Sequence, residues 1–201
     1  MSRLRAFSLI PLVAGLLILT PLSSLVTRAA GISLPPPSHK GTITVEEALK
    51  ARRTHPSFKA RSVTVKQFSQ ILWGAYGVTA KVSGYYLKTA PSAGGLYPIG
   101  IYAVVGEGGV DTLPRGVYHF RPENHSIKCV KEGDVRAAVA KHSVHQMWMA
   151  KAPVMLVITG EYARCTIKYG PRGVTYTHIE AGHVGQNIFL QAEALGLKQA
   201  L

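Results

Sequence analysis

Apolar and polar positions along this chain follow two periods, and each change of period marks an element. In "TVKQFSQILWGAYGVT", Val65, Phe68, Ile71 and Leu72 recur at helical spacing, and Gly77 follows as a stop. "TVEEALKARR" sets a threonine ahead of two glutamates, which suits a helix start. "GDVRAAVAKHSVHQMWMAKA" and "HIEAGHVGQNIFLQAEALGL" carry longer helical patterns. "GIYAVVG" and "VMLVITG" are short apolar runs bounded by glycine and proline, and they predict buried strands. "GVYHF" predicts a third. Strands interleaved with helices predict an α+β or α/β layered domain.

The N-terminus departs from this pattern. "MSRLRAFSLIPLVAGLLILTPLSSLVTRAAG" sets two arginines before an apolar run from Ala6 to Val26, then small residues at Ala29, Ala30 and Gly31. That order resembles a secretory signal. The run exceeds the core of about 7 to 15 residues usual for a signal and approaches the roughly 20 that span a bilayer, so an uncleaved anchor competes. Residues 1–31 are therefore expected to be a signal peptide or membrane anchor, with residues 6–26 at the membrane and the domain on the exported, extracytoplasmic side. "SLPPPSHKG" holds three consecutive prolines, which favour an extended spacer. Residues 32–41 read as a linker and 42–201 as the folded domain.

The formal charge of +13 over 201 residues changes little in this picture. Basic charge suits nucleic acid, anionic lipid or a phosphorylated ligand. No Lys/Arg block is interleaved with aromatics, so charge is the sole support for nucleic acid, which is not expected as a partner. Cys129 and Cys165 form no metal pattern; they read as buried thiols, or as a pair if the chain is exported.

The chemistry-bearing segments leave several readings open. "KTAPSAGGLYPIGIYAVVG" packs small residues into a loop ahead of a strand. It matches neither a phosphate loop nor a dinucleotide fingerprint, both of which follow a strand. Its bare backbone suits a planar, polar-edged ligand approaching closely. Ser92 lacks a nucleophile-elbow context and a well-placed Asp. His142 and His145 have a spacing open to a metal but no supporting carboxylate, and no metal is expected. Glu180, His183 and Asn187 share one helix face, more suited to a site-shaping network than to a metal. "CTIKYGPRGVTY" clusters Lys168, Tyr169, Arg172 and Tyr176; a Lys beside a Tyr can run a proton relay, or can be a basic surface loop.

Taken together and in order, "LKARRTHPSF", "LWGAYGVT", "TAPSAGGLYPIGIYAVV", "GVYHF", "QMWMAKAPVMLVITGEYAR" and "KYGPRGVTYTHIEAGHVGQNIFLQAEALGL" resemble the flavin-dependent nitroreductase superfamily. They are most similar to its SagB-type dehydrogenases, which include peptide azoline oxidases. The resemblance covers Thr42 to Leu201. It implies an α+β nitroreductase-like fold, with an antiparallel or mixed central sheet flanked by helices. It also implies a homodimer that binds FMN at its subunit interface and passes hydride between the flavin and a small organic or peptide-azoline substrate. Arg52, Arg53 and Thr54 match the family segment that grips the flavin phosphate and ribityl chain; Pro56 replaces a further basic residue there. Pro91, Ser92, Ala93 and Gly94 match the loop along the isoalloxazine ring. Lys168 and Tyr169 match the pair that acts in proton abstraction. The family continues past "EALGL" with a further strand and an extension that wraps the partner, so the chain is expected to lack that strand. The alternative expectation is a degenerate, membrane-tethered flavin-binding or partner subunit without catalysis.

Overall fold

The computed structural model describes residues 31–59 and 61–200. The expected leader and its apolar run therefore lie outside the described residues. Among those described, no helix is long and apolar enough to cross a membrane.

The proline-rich stretch leads into the fold instead of spacing it. Ile32–Ser33 forms strand β1, with Ile32 opposite Ile127. Leu34 is buried in the main core, and the Pro35 carbonyl accepts the Ser69 hydroxyl. Ordered packing thus begins at Ile32, ahead of the expected Thr42. Three prolines forbid a helix there, but they allow extended backbone to dock along a sheet edge.

Two short helices follow, and each is started by a reciprocal cap. Thr44 accepts from the Glu47 N–H while Glu47 accepts from the Thr44 N–H, opening α1 (Val45–Ala51). Thr64 and Gln67 do the same for α2 (Val65–Tyr76), which ends at Gly77 as its pattern predicts. A hairpin of β2 (Val78–Val82) and β3 (Tyr85–Lys88) comes next.

The remaining strands are β4 (Ile99–Val105), β5 (Gly116–Arg121), β6 (Ser126–Glu132) and β7 (Val154–Gly160). They form one sheet with β1 in the order β1-β6-β5-β4-β7, every pairing antiparallel. Ile99, Ile101, Ala103 and Val105 of β4 face the main core with Phe68 and Leu72 of α2. Val104 and Met155 face the other way, onto Ala140 and Ala152.

Two expectations shift here. The long helix predicted from Gly133 breaks after α3 (Arg136–His142). The Ser143 hydroxyl donates back to the Val139 carbonyl at 2.9 Å, and Val144 and His145 then take left-handed backbone. A short 3-10 turn, Met147–Lys151, completes the segment. Conversely, the glycine- and proline-bearing "CTIKYGPRGVTY" is largely helical. It ends α4 (Tyr162–Tyr169), breaks at Gly170 and Pro171, and opens α5 (Arg172–Ala194). Proline suits a helix start, because its missing N–H would have no partner there in any case. A methyl group on Gly173 would lie 2.5 Å from the Thr166 nitrogen, so this glycine lets α5 press directly onto α4.

Candidate active site

Lys88 to Ile99 forms a loop whose neck closes on one buried tyrosine. Tyr76, from the last turn of α2, accepts the Ile99 N–H at 3.4 Å and meets the Tyr97 ring edge-to-face at 5.9 Å. Tyr97 in turn accepts the Lys88 N–H at 3.2 Å, so entry and exit of the loop are tied together. Lys88 Nζ lies 4.4 Å from the Tyr76 ring centroid and 3.1 Å from a Glu123 carboxylate oxygen. Beneath them the Tyr76 hydroxyl donates to Glu180 of α5 at 2.5 Å, with both residues buried. Burial, then Glu180 itself, pushes the Tyr76 hydroxyl far above its ordinary range, so it remains a donor.

Within the loop, Ser92 Oγ accepts the Tyr97 N–H at 2.8 Å, and the Ser92 carbonyl accepts the Gly95 N–H at 3.1 Å. Gly94 and Gly95 both have left-handed backbone, with φ of 60° and 65°. Pro91 and Gly94 are exposed, while Ser92 and Ala93 are half-buried. A methyl group on Gly94 would overlap the Tyr169 hydroxyl and stand 2.8 Å from Lys168 Nζ. The loop thus lies directly against the last turn of α4. Lys168 Nζ sits 5.4 Å from the Tyr169 ring centroid, and that ring meets Tyr176 of α5 edge-to-face at 5.1 Å. Two segments far apart in sequence, Pro91–Gly94 and Lys168–Tyr169, therefore make one site.

Arg52, Arg53 and Thr54 are elsewhere. They follow α1, which packs on the C-terminal half of α5. The Arg52 guanidinium lies over Phe189, 5.3 Å from its ring centroid. Arg53 donates to the Lys50 and Arg52 carbonyls at 2.9 and 2.8 Å. Thr54 is exposed. Phe189 and Tyr176 stand roughly 20 Å apart along α5 at about 1.5 Å rise per residue. Within one chain the arginine end and the loop end do not converge.

Beside the loop neck opens a cleft of about 530 Å³, bordered by Lys88, Tyr97, Tyr102, His119, Glu161 and Arg164. Burial, and then the nearby Arg121 charge, hold His119 below the ordinary histidine range. Arg164 donates to the Tyr97 carbonyl at 3.0 Å, bracing the loop from α4.

The polar stripe expected along α5 does not act as one network. Glu180 points into the core, His183 is exposed, and Asn187 borders a separate groove with Trp73 and Gln191. His142 donates to the Ala138 carbonyl of its own helix at 2.8 Å. Among the described residues no cluster of His, Cys, Asp or Glu could hold a metal. Cys129 and Cys165 are both free thiols. The neck residues Tyr76, Tyr97 and Lys88 carried no motif of their own in the sequence.

The family model described as the nitroreductase family matches residues 49–199, most of the chain and every segment of this site. The chain belongs to the nitroreductase family. As a nitroreductase-family protein it is 41% identical over 155 residues to the nitroreductase-like protein MJ1384 of Methanocaldococcus jannaschii, covering 77% of this chain and 76% of that one. It is 25% identical over 125 residues to the trifolitoxin-processing protein TfxB of Rhizobium leguminosarum bv. trifolii, covering 60% of this chain and 33% of TfxB. The crystal structure of a nitroreductase-like protein (Reut_A1228) from Ralstonia eutropha superposes with a TM-score of 0.70 at 26% identity. That match covers 84% of this chain and 73% of the other. The expected nitroreductase-like α+β fold is the one observed.

Proposed function

We propose that this nitroreductase-family chain is an FMN-dependent oxidoreductase of the SagB type, working as a homodimer on a small organic or peptide-azoline substrate. The observation that carries this reading is the apposition of Gly94 and the Lys168–Tyr169 pair. A flat ring laid on the Pro91–Gly94 backbone would meet no side chain from Gly94, with the Lys168–Tyr169 pair close by. FMN, when bound there, supplies the two-electron hydride chemistry. On this reading Tyr169 Oη takes the substrate proton as a phenolate or returns it as a phenol, and the nearby Lys168 ammonium offsets the phenolate charge. The kinship with a toxin-processing protein favours a modified peptide as the substrate class.

The separation along α5 supports a shared site. Arg52 and Arg53 lie at the far end from the ring loop, beyond the reach of the short ribityl chain that joins ring to phosphate. A second copy that brings its own arginine end to the loop of the first would complete two equivalent sites. Arginine suits the phosphate because its planar fork can donate two bonds to one dianion.

A non-catalytic flavin-binding or partner subunit is the second reading. Arg53 already donates to two backbone carbonyls and Pro56 offers no charge, both of which weaken the phosphate end. The leader, proposed to export or anchor the chain, is compatible with either reading.

One experiment separates the two. The purified chain is dialysed, and its visible spectrum and sedimentation are recorded with and without added FMN. A dimer that stays yellow, is bleached by NAD(P)H or by substrate, and turns over an azoline or a nitroarene supports the enzyme. A yellow dimer that dithionite bleaches but that turns over neither azoline nor nitroarene supports the second reading. A folded chain that retains no flavin at tens of micromolar rejects flavin binding altogether.

A further inference from the structure

Glu180 is the least expected side chain in the core. It is 2% exposed, and its second carboxylate oxygen has no partner among the described residues. A half-satisfied buried carboxyl is costly, and an apolar residue of similar size would pack there at lower cost. Its one bond goes to the Tyr76 hydroxyl. Tyr76 in turn holds Ile99 by a hydrogen bond, Tyr97 by an edge-to-face contact and Lys88 over its ring face. Tyr97 then holds Ser92 inside the loop. The helix that carries Glu180 also presses on α4, which bears Lys168 and Tyr169.

We propose that Glu180 is a positioning residue, which through Tyr76 sets the Ser92–Gly95 backbone at its working distance from Lys168 and Tyr169. The gap it governs is narrow, because Gly94 has no room for a single methyl group. A loop of small residues with two left-handed glycines has little stiffness of its own. Its neck is where the fold can hold it, and there Tyr76 gathers Ile99, Tyr97 and Lys88, while Arg164 braces the Tyr97 carbonyl from α4. Nothing in this chain of contacts needs the ligand. Its consequence for binding rests on the flavin reading above.

The full chain is compared with Glu180→Ala, Glu180→Gln and Tyr76→Phe. Amide hydrogen exchange is followed without FMN on the segment 92–99, with the β5–β6 pair as the internal control. FMN affinity is then measured on the same samples. In Glu180→Ala and Tyr76→Phe, exchange at 92–99 should rise about tenfold, the scale of one lost buried hydrogen bond whose partner is left unsatisfied, while β5–β6 stays unchanged. FMN should bind about tenfold more weakly for the same reason. Glu180→Gln keeps an oxygen for the Tyr76 hydroxyl and should stay within about twofold of the parent on both readings. Parent-like exchange at 92–99 in Tyr76→Phe overturns the proposal. So does an increase spread evenly over loop and control, which would make Glu180 a general core residue. If the parent chain binds no FMN, the flavin reading fails, and the exchange pattern still decides the role of Glu180.

Discussion

Gly94 sits against the Tyr169 hydroxyl with no room for a side chain between them. Gly95, its neighbour, has similar left-handed backbone but faces open space. This contrast separates two costs that are usually confounded. Gly95→Ala bears only the backbone penalty of left-handed φ, about 1–2 kcal/mol. Gly94→Ala adds a steric penalty of about 1–3 kcal/mol or displaces the Lys168–Tyr169 pair. Thermal melts should rank the two variants in that order. FMN retention should fall in Gly94→Ala and persist in Gly95→Ala.

Lys168 and Tyr169 stand at the rim of the loop, and no structural hydrogen bond of the loop runs through them. Lys168→Ala and Tyr169→Phe should therefore keep the yellow colour of a flavin-loaded sample. Turnover of an azoline peptide should drop by about 10²- to 10⁴-fold, the usual contribution of a positioned proton-transfer group. Stopped-flow reduction of the bound flavin by the substrate is the direct check. Loss of colour would assign the pair a binding role instead.

The arginine end and the loop end can be tested as halves of one site. Arg52→Ala should weaken FMN binding by about 10- to 100-fold, the scale of hydrogen bonds to a charged group, and leave riboflavin binding nearly unchanged. It also removes the contact over Phe189, costing about 0.5–1 kcal/mol of stability. Refolding an equimolar mixture of Arg52→Ala and Gly94→Ala chains should restore some tight FMN binding, because a mixed dimer holds one site with both halves intact. A mixture no better than either variant alone would mean that each chain builds its site by itself.

The Asp134–Arg136 pair gives a pH prediction away from the site. Arg136 donates to both Asp134 oxygens and to the Ala152 carbonyl, tying α3 to the segment ahead of β7. Hydrogen bonding from Arg136 holds the Asp134 carboxyl below its ordinary range, outweighing its partial burial. Its folded pKa is thus depressed, so the stabilisation is full above the unfolded pKa of about 4 and disappears as pH falls through the lower folded value. Asp134→Asn should lower stability by roughly 1–2 kcal/mol at pH 7. Denaturant titrations of variant and parent should converge as pH falls below the folded value.

The sequence alone determined the elements whose cause is local. Helix α2 follows from its apolar spacing and its glycine stop, and β4 and β7 from unbroken β-rich runs between glycine and proline. The glycine loop announced itself too, since two adjacent glycines between prolines have few structural uses. The short-range periods could not reveal contacts between distant segments. Ile32 and Leu34 look like the start of a spacer until β6 and the core are present to receive them. Glu180 reads as one member of a polar stripe, because its spacing to His183 and Asn187 is visible and the burial that parts them is not. Glycine and proline in "KYGPRG" suggest a loop, whereas Gly173 is there so that α5 can touch α4. Only the tertiary structure could decide that Gly94 meets Tyr169, that Tyr76 ties the loop neck to α5, and that Arg52 lies at the other end of that helix. Each of these depends on packing between segments tens of residues apart, and packing is a property of the whole fold.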